Sequence, residues 1–238
     1  MTHLSTSGPR DQGAARRPSL IIFDVNETLS DMAPVATRFS DVGLPEHLAT
    51  TWFAALLRDG FALTVTADNP SFAELASDGL RLLLGEVGTD TERAVAHIMG
   101  GFAELPVHAD VVAGIRALSD AGLRLVTLSN GATTVAQALF NRNDIASCFE
   151  TLLSVQDAPA WKPAAAAYHH ALEACQVKAE DAMLVAVHPW DIHGARKAGL
   201  ATCWINRSGT TYPSMFLPAD LQASSLNELA ALLPHPPQ

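Results

Sequence analysis

Chemistry in this chain begins at Asp24. The apolar run Leu20-Ile21-Ile22-Phe23 reads as a short strand buried on both faces of a parallel sheet, with Asp24 at its C-terminal end. Open α/β sheets place their ligand sites at that end of the strands. Thr28 follows with a hydroxyl that can steady the loop or the carboxylate. Asp24 can therefore be a nucleophile or only a helix cap. Ser129-Asn130-Gly131, after a second apolar run, offers small polar groups, although the same tripeptide is a common turn. Lys162 precedes Pro163, and a lone lysine is normally solvated. His188-Pro189-Trp190-Asp191 joins an imidazole that titrates near neutrality to a carboxylate. His188 can equally be a packing residue. The remaining histidines (His47, His97, His108, His169, His170, His193) show no metal-ligand spacing.

The elements that must position these groups follow from periodicity. After Thr28 the pattern is helical for about eighty residues, over Asp31–Val42, Pro45–Asp59, Pro70–Gly85 and Thr89–Phe102. Alternation then returns. A helix over Asp110–Asp120 precedes a turn and strand over Gly122–Asn130, then a helix over Thr133–Asn141 and a strand over Phe149–Val155. A helix over Pro163–Cys175, a strand over Ala182–Val187, a helix over Trp190–Ala198 and a strand over Ala201–Ile205 complete the series. Such a β-α-β-α rhythm predicts an α/β fold, a doubly wound parallel sheet with right-handed crossovers.

Composition narrows the function. A chain of 238 residues, 48% hydrophobic and 17% charged, can bury a full core. A formal charge of −10 argues against nucleic acid or an anionic membrane as partner, though not against a small anionic substrate. Cys148, Cys175 and Cys203 lie far apart with no CxxC spacing, as expected of buried thiols in a reducing cytoplasm. No apolar run approaches the length of a membrane span. Residues 1–18 read as a disordered leader without an apolar signal segment, and the Pro-rich end Leu233–Gln238 reads similarly.

Taken in order, Asp24–Leu29, Leu128-Ser129-Asn130, Trp161-Lys162-Pro163 and Val187–Asp191 resemble the four motifs of the haloacid dehalogenase superfamily, closest to its L-2-haloacid dehalogenases. The resemblance implies a Rossmann-like core (19–30 and 105–238) with an inserted helical cap (31–104). It also implies hydrolysis of short 2-haloalkanoic acids to 2-hydroxy acids, by a metal-free and cofactor-free enzyme acting through an aspartyl ester. In-line attack would give a D-hydroxy acid from an L-halo acid. The partners so implied are the haloacid and the halide, with a possible homodimer.

The resemblance also assigns roles. Asp24 is the nucleophile, Lys162 neutralises it and the incoming anion, and Thr28 supports it. Asp191 positions Lys162 and the hydrolytic water. Ser129 and Asn130 hold the substrate carboxylate or halide, Tyr168 matches a tyrosine that dehalogenases keep, and Trp190 matches a wall of the halide pocket. Asn26 stands where superfamily phosphatases carry a second aspartate, and an amide cannot transfer the proton an alcohol leaving group needs. A halide needs none. Asn26 and Glu27 also depart from the familiar dehalogenases, as do Ala186 and His188; His188 is a candidate for activating the water. The family's halide-binding arginine falls on Phe53 by alignment at Trp52, which leaves Arg58 as the candidate and Arg38 as the fallback. A magnesium-dependent phosphatase and a catalytically quiet binding protein are the alternatives.

Overall fold

The computed structural model describes residues 17–85 and 90–233. Residues 1–16 of the expected leader, Thr89 at the expected start of a helix, and residues 234–238 of the Pro-rich end lie outside the described residues.

Six strands form one parallel sheet in the order β3-β2-β1-β4-β5-β6: β1 Leu20–Phe23, β2 Arg124–Ser129, β3 Thr151–Ser154, β4 Ala182–Ala186, β5 Ala201–Ile205 and β6 Leu221–Ala223. The chain runs outward one way from β1 to β3, then returns to β4 beside β1 and runs the other way. That reversal places the topological switch point between β1 and β4. Leu20, Ile21, Ile22 and Phe23 are all fully buried, each contributing about 2 kcal/mol of apolar burial.

Because side chains alternate across a strand, Leu20 and Ile22 enter one core while Ile21 and Phe23 enter the other. The first core is covered by α7 (Ala165–Cys175) and α8 (Pro189–Lys197), and it continues into four helices inserted after β1. The second is covered by α5 (Val111–Asp120), α6 (Thr133–Arg142) and α9 (Leu226–Leu232).

The inserted helices are α1 (Val35–Asp41), α2 (Leu48–Val65), α3 (Phe72–Leu84) and α4 (Thr91–Phe102). Trp52 packs against Phe39 and Phe102 and donates its indole N–H to the Ala76 carbonyl at 3.1 Å. The segments joining the insert to the sheet run side by side. Asp31 N–H bonds to Pro106 O at 2.8 Å, and His108 N–H bonds to Leu29 O at 3.1 Å. Across from them, Trp161 stacks on Phe72 and donates to Pro70 O at 2.9 Å.

Several boundaries differ from those expected. The helix expected from Asp31 begins at Val35, because the Asp31 carboxylate accepts from Ala33 N–H and holds a turn. The helix expected to stop at Asp59 runs through Gly60 to Val65. A Cβ at Gly60 would stand 2.5 Å from the Trp161 ring, so packing between helix and core outweighs glycine's low helix propensity. Tertiary context also delays α7 to Ala165, two residues past Pro163. The short β6 and α9 were not expected, although Ser225 and Glu228 have the spacing of a helix start, and Ser225 Oγ accepts from Glu228 N–H at 3.1 Å.

No helix among the described residues is long and apolar enough to cross a membrane.

Candidate active site

Three strand ends converge on Asp24. It follows β1, Ser129 closes β2, and β4 leads through Val187 into α8, whose first turn carries Asp191. Asp24 N–H donates to Val185 O at 3.1 Å, which ties the carboxylate's backbone to the neighbouring strand. Thr28 donates its hydroxyl to Asp24 Oδ2 at 2.7 Å and accepts from Val187 N–H at 3.1 Å. It thereby locks the β1 loop to the β4 loop.

Lys162 is fully buried, against the ordinary habit of lysine. Its ammonium donates to Asp24 Oδ1 at 2.9 Å and to Asp191 Oδ2 at 2.6 Å. Asn130 fixes the lysine backbone from both sides: its amide donates to Lys162 O at 3.3 Å and its carbonyl accepts from Lys162 N–H at 3.0 Å. Tyr168 donates to Asp191 Oδ1 at 2.6 Å. Both oxygens of Asp191 are thus engaged, and its place in the first turn of α8 sets its charge against the helix dipole. Gly194, one turn further, lets α8 approach that closely. A Cβ there would fall 2.6 Å from both Pro163 Cβ and Tyr168 Oη.

The ionisations follow from this packing. Burial pushes Asp24 up, but Lys162, His188 and the Thr28 hydroxyl outweigh it and hold the carboxyl below its ordinary range. Burial also disfavours the Lys162 ammonium, yet Asp191 and Asp24 together raise its pKa. Asp191 is raised by burial and then by the Asp24 charge, with Lys162 opposing. Burial, then the Asp191 charge, puts Tyr168 well above the usual phenol, so it stays protonated and can donate to Asp191.

The other side of Asp24 is looser. His188 Nε2 lies 3.2 Å from Asn26 O, 3.6 Å from Asp24 Oδ2 and 3.5 Å from Glu27 Oε2. Its ring stacks on Trp190 at 5.0 Å, and Trp190 packs in turn on Phe61 and stands 5.8 Å from Lys162 Nζ. Glu27 has a left-handed backbone, φ +62°, which costs a non-glycine residue on the order of 1 kcal/mol. Asn26 and Ser129 border an apolar cavity of about 120 Å³ that also meets Phe72, Met99 and Phe102 from α3 and α4. Ser129 Oγ accepts from Gly131 N–H at 2.9 Å.

Of the residues expected from sequence, Asp24, Thr28, Lys162, Tyr168, His188, Trp190 and Asp191 form one connected cluster. Asn26, Ser129 and Asn130 border it. Arg58 is not brought there. Six residues past Trp52, it lies roughly two-thirds of a turn from that buried side chain, is 72% exposed and pairs with Asp59. Arg38 bonds to Glu104 and contacts His97 on α4. Phe53, at the aligned place, is buried. Sequence reasoning gave Glu27 no role, and its αL backbone could have been flagged only by structure. Among the described residues no group of three His, Cys, Asp or Glu side chains could hold a metal ion.

A sequence model of the haloacid dehalogenase-like hydrolases matches residues 18–199. The chain belongs to that family. It is 27% identical to haloacetate dehalogenase H-2 of Moraxella sp. (strain B), over 90% of this chain and 96% of the relative. Identity to the (S)-2-haloacid dehalogenase of Pseudomonas sp. (strain YL) is also 27%, over 89% and 93% of the two chains. A solved dehalogenase with an intermediate complex superposes with a TM-score of 0.84 at 27% identity, covering 91% of this chain and 97% of that one. Its fold and those of its family are therefore the same.

Proposed function

We propose that this hydrolase removes halide from short 2-haloalkanoic acids, giving 2-hydroxy acids through an ester on Asp24. The observation that carries the reading is a buried, low-pKa Asp24 held by the buried Lys162 ammonium, with an amide rather than an acid at Asn26. Such a carboxylate stays ionised at neutral pH and can attack the carbon bearing the halogen. The carbon–halogen electron pair leaves with the halide, which needs no proton. Whichever oxygen enters the ester, the other keeps a donor: Lys162 on Oδ1, or Thr28 on Oδ2. Water then attacks the Asp24 carboxyl carbon, and the negative charge that develops there meets those same donors and His188. In-line displacement would invert the carbon, as for an (S)-2-haloacid giving an (R)-2-hydroxy acid. Both relatives named above act on haloacids by name, which supports the same substrate class here.

Helices α1–α4 (31–104) then serve as a cap over a core of 19–30 and 105–238, supported by the paired connecting segments at 29–31 and 106–108. The apolar cavity at Asn26 and Ser129 would take the alkyl part of a short acid, and Trp190 and His188 would flank the halide. Free thiols at Cys148, Cys175 and Cys203 suit a reducing cytoplasm. A homodimer, implied by the family resemblance, completes the proposal. A magnesium-dependent phosphatase is disfavoured because Asn26 is an amide that cannot protonate an alcohol leaving group, and because His188 and Pro189 bring no acidic ligand.

Halide release from chloroacetate and L-2-chloropropionate tests the reading, with Asp24→Asn alongside and chelator present. The wild type is expected to release halide and the variant to lose it by on the order of 1,000-fold or more. Release by both, or by neither, refutes the proposal.

A further inference from the structure

Hydrolysis of the ester needs a base, since the attacking water must lose a proton as it bonds to the Asp24 carboxyl carbon. Asp191 is badly placed for that work: it is fully buried, and Lys162 and Tyr168 occupy its two oxygens. His188 is near enough, but its Nε2 faces three oxygens, those of the Asn26 carbonyl and the Asp24 and Glu27 carboxylates. A carbonyl only accepts, so this nitrogen carries a hydrogen and donates.

That leaves Glu27. Its Oε2 and Asp24 Oδ2 both lie within 3.6 Å of the same His188 nitrogen, so the two carboxylates flank one shared donor. The side chain is 41% exposed and borders a cavity of about 290 Å³, with Asp31, Phe53 and His108 among its other walls. Water therefore reaches Glu27, as it does not reach Asp191. The left-handed backbone of Glu27 sets this direction, and His108 Nε2 holds it by contacting Glu27 O at 2.9 Å.

We propose that Glu27 is the general base for the second half-reaction, taking a proton from the water that hydrolyses the Asp24 ester while His188 Nε2–H steadies the charge on Asp24. The water oxygen bonds to the Asp24 carboxyl carbon and its proton passes to Glu27. The tetrahedral adduct then collapses, breaking the bond from that carbon to the substrate oxygen. The departing alkoxide takes the proton from Glu27, and Asp24 returns to a carboxylate as its new carboxyl proton goes to solvent. Burial raises the Glu27 pKa, with His188 and His108 opposing; the Asp24 charge adds to the rise in the free enzyme and is absent once the ester has formed.

This assignment rests on the dehalogenase reading, and the test separates the two. Full-length wild type, Glu27→Gln and Glu27→Asp would be mixed with chloroacetate, following halide in the first turnover and in steady state, with intact-protein mass spectrometry. Glu27→Gln is expected to release one halide per chain at close to the wild-type rate and then stall, turning over about 100-fold more slowly or worse. The ester should accumulate on Asp24, and KM should not rise, because a negative charge has left the site of an anionic substrate. The acid limb of kcat in the wild type should vanish in Glu27→Gln and partly return in Glu27→Asp. Groups facing Glu27 that could also shape that limb are Asp24, His188, His108 and Asp31. Unchanged turnover with an unchanged pH profile overturns the assignment. So does an equal loss in the burst and the steady state, which would make Glu27 a positioning residue. If Glu27→Gln does not fold, Glu27→Asp carries the same comparison of burst and steady state. A wild type that releases no halide sinks the dehalogenase reading and this inference with it.

Discussion

On the inner side of Asp24, Lys162, Asp191 and Tyr168 are fully buried and joined by contacts of 2.6–2.9 Å. On the outer side, His188 meets Asp24 and Glu27 at 3.6 and 3.5 Å beside an open cavity. The inner side is dry and saturated, so it can hold charge through the displacement without rearranging. The outer side keeps slack and access to water, which the hydrolysis of an ester requires. One carboxylate thus stands between an environment made for its attack and one made for its release.

The sharpest way to break this contrast is Lys162→Met. Asp24 and Asp191 would then be buried facing each other without a cation. We expect halide release to fall on the order of 1,000-fold and stability to drop by about 3–5 kcal/mol in denaturant unfolding. The sign of the pH dependence is fixed as well. The Lys162 pKa is raised, so its contribution is present below the ordinary lysine value of 10.5 and disappears as pH rises through its folded value. The Asp24 pKa is lowered, so its share is present above 3.8 and is lost as pH falls through its folded value. The wild type should therefore lose stability at both extremes, and Lys162→Met should lack the alkaline loss. A variant as stable as the wild type would mean that the inner side carries no such charge balance.

Tyr168→Phe is a milder probe of the same side. It leaves Asp191 Oδ1 without its 2.6 Å donor, costing about 1–3 kcal/mol in thermal or chemical unfolding. The Asp191 pKa should rise further, because the tyrosine hydroxyl opposes the upward shift. No change in stability would show that the hydrogen bond is not needed to hold Asp191.

The smallest effect belongs to neither side. Arg58→Ala should leave halide release within about 2-fold of wild type, because this exposed guanidinium pairs with its neighbour Asp59 and not with the Asp24 cluster. A large loss in halide release would mean that Arg58 reaches the site during turnover.

How far the sequence carried the reading varies by residue. Asp24 was legible because three further motifs follow it in order; the apolar strand and its terminal carboxylate alone left a helix cap open. Lys162 and Asp191 were legible through motif order, though not the fact that one ammonium bridges both acids. Asn130 was expected to hold substrate or halide; what the sequence did not show is that its side chain holds the Lys162 backbone with both ends of its amide. Arg58 was misplaced because proximity along a helix says nothing about facing without a phase, and the buried stripe runs through Trp52, Phe53, Leu56 and Gly60. The extension of α2 past Gly60 depended on Trp161, a contact about a hundred residues away that no local window contains. Glu27 escaped for the same reason: its meaning comes from its backbone angle and from His188, far along the chain.

The most direct test is a single turnover with enzyme in excess over chloroacetate, in water enriched in heavy oxygen. If Asp24 forms the ester and water attacks its carboxyl carbon, the hydroxy acid emerges unlabelled and the label appears in the Asp24 carboxylate. Label in the hydroxy acid instead, with Asp24 unlabelled, would mean that water displaces the halide directly and that Asp24 is not a nucleophile.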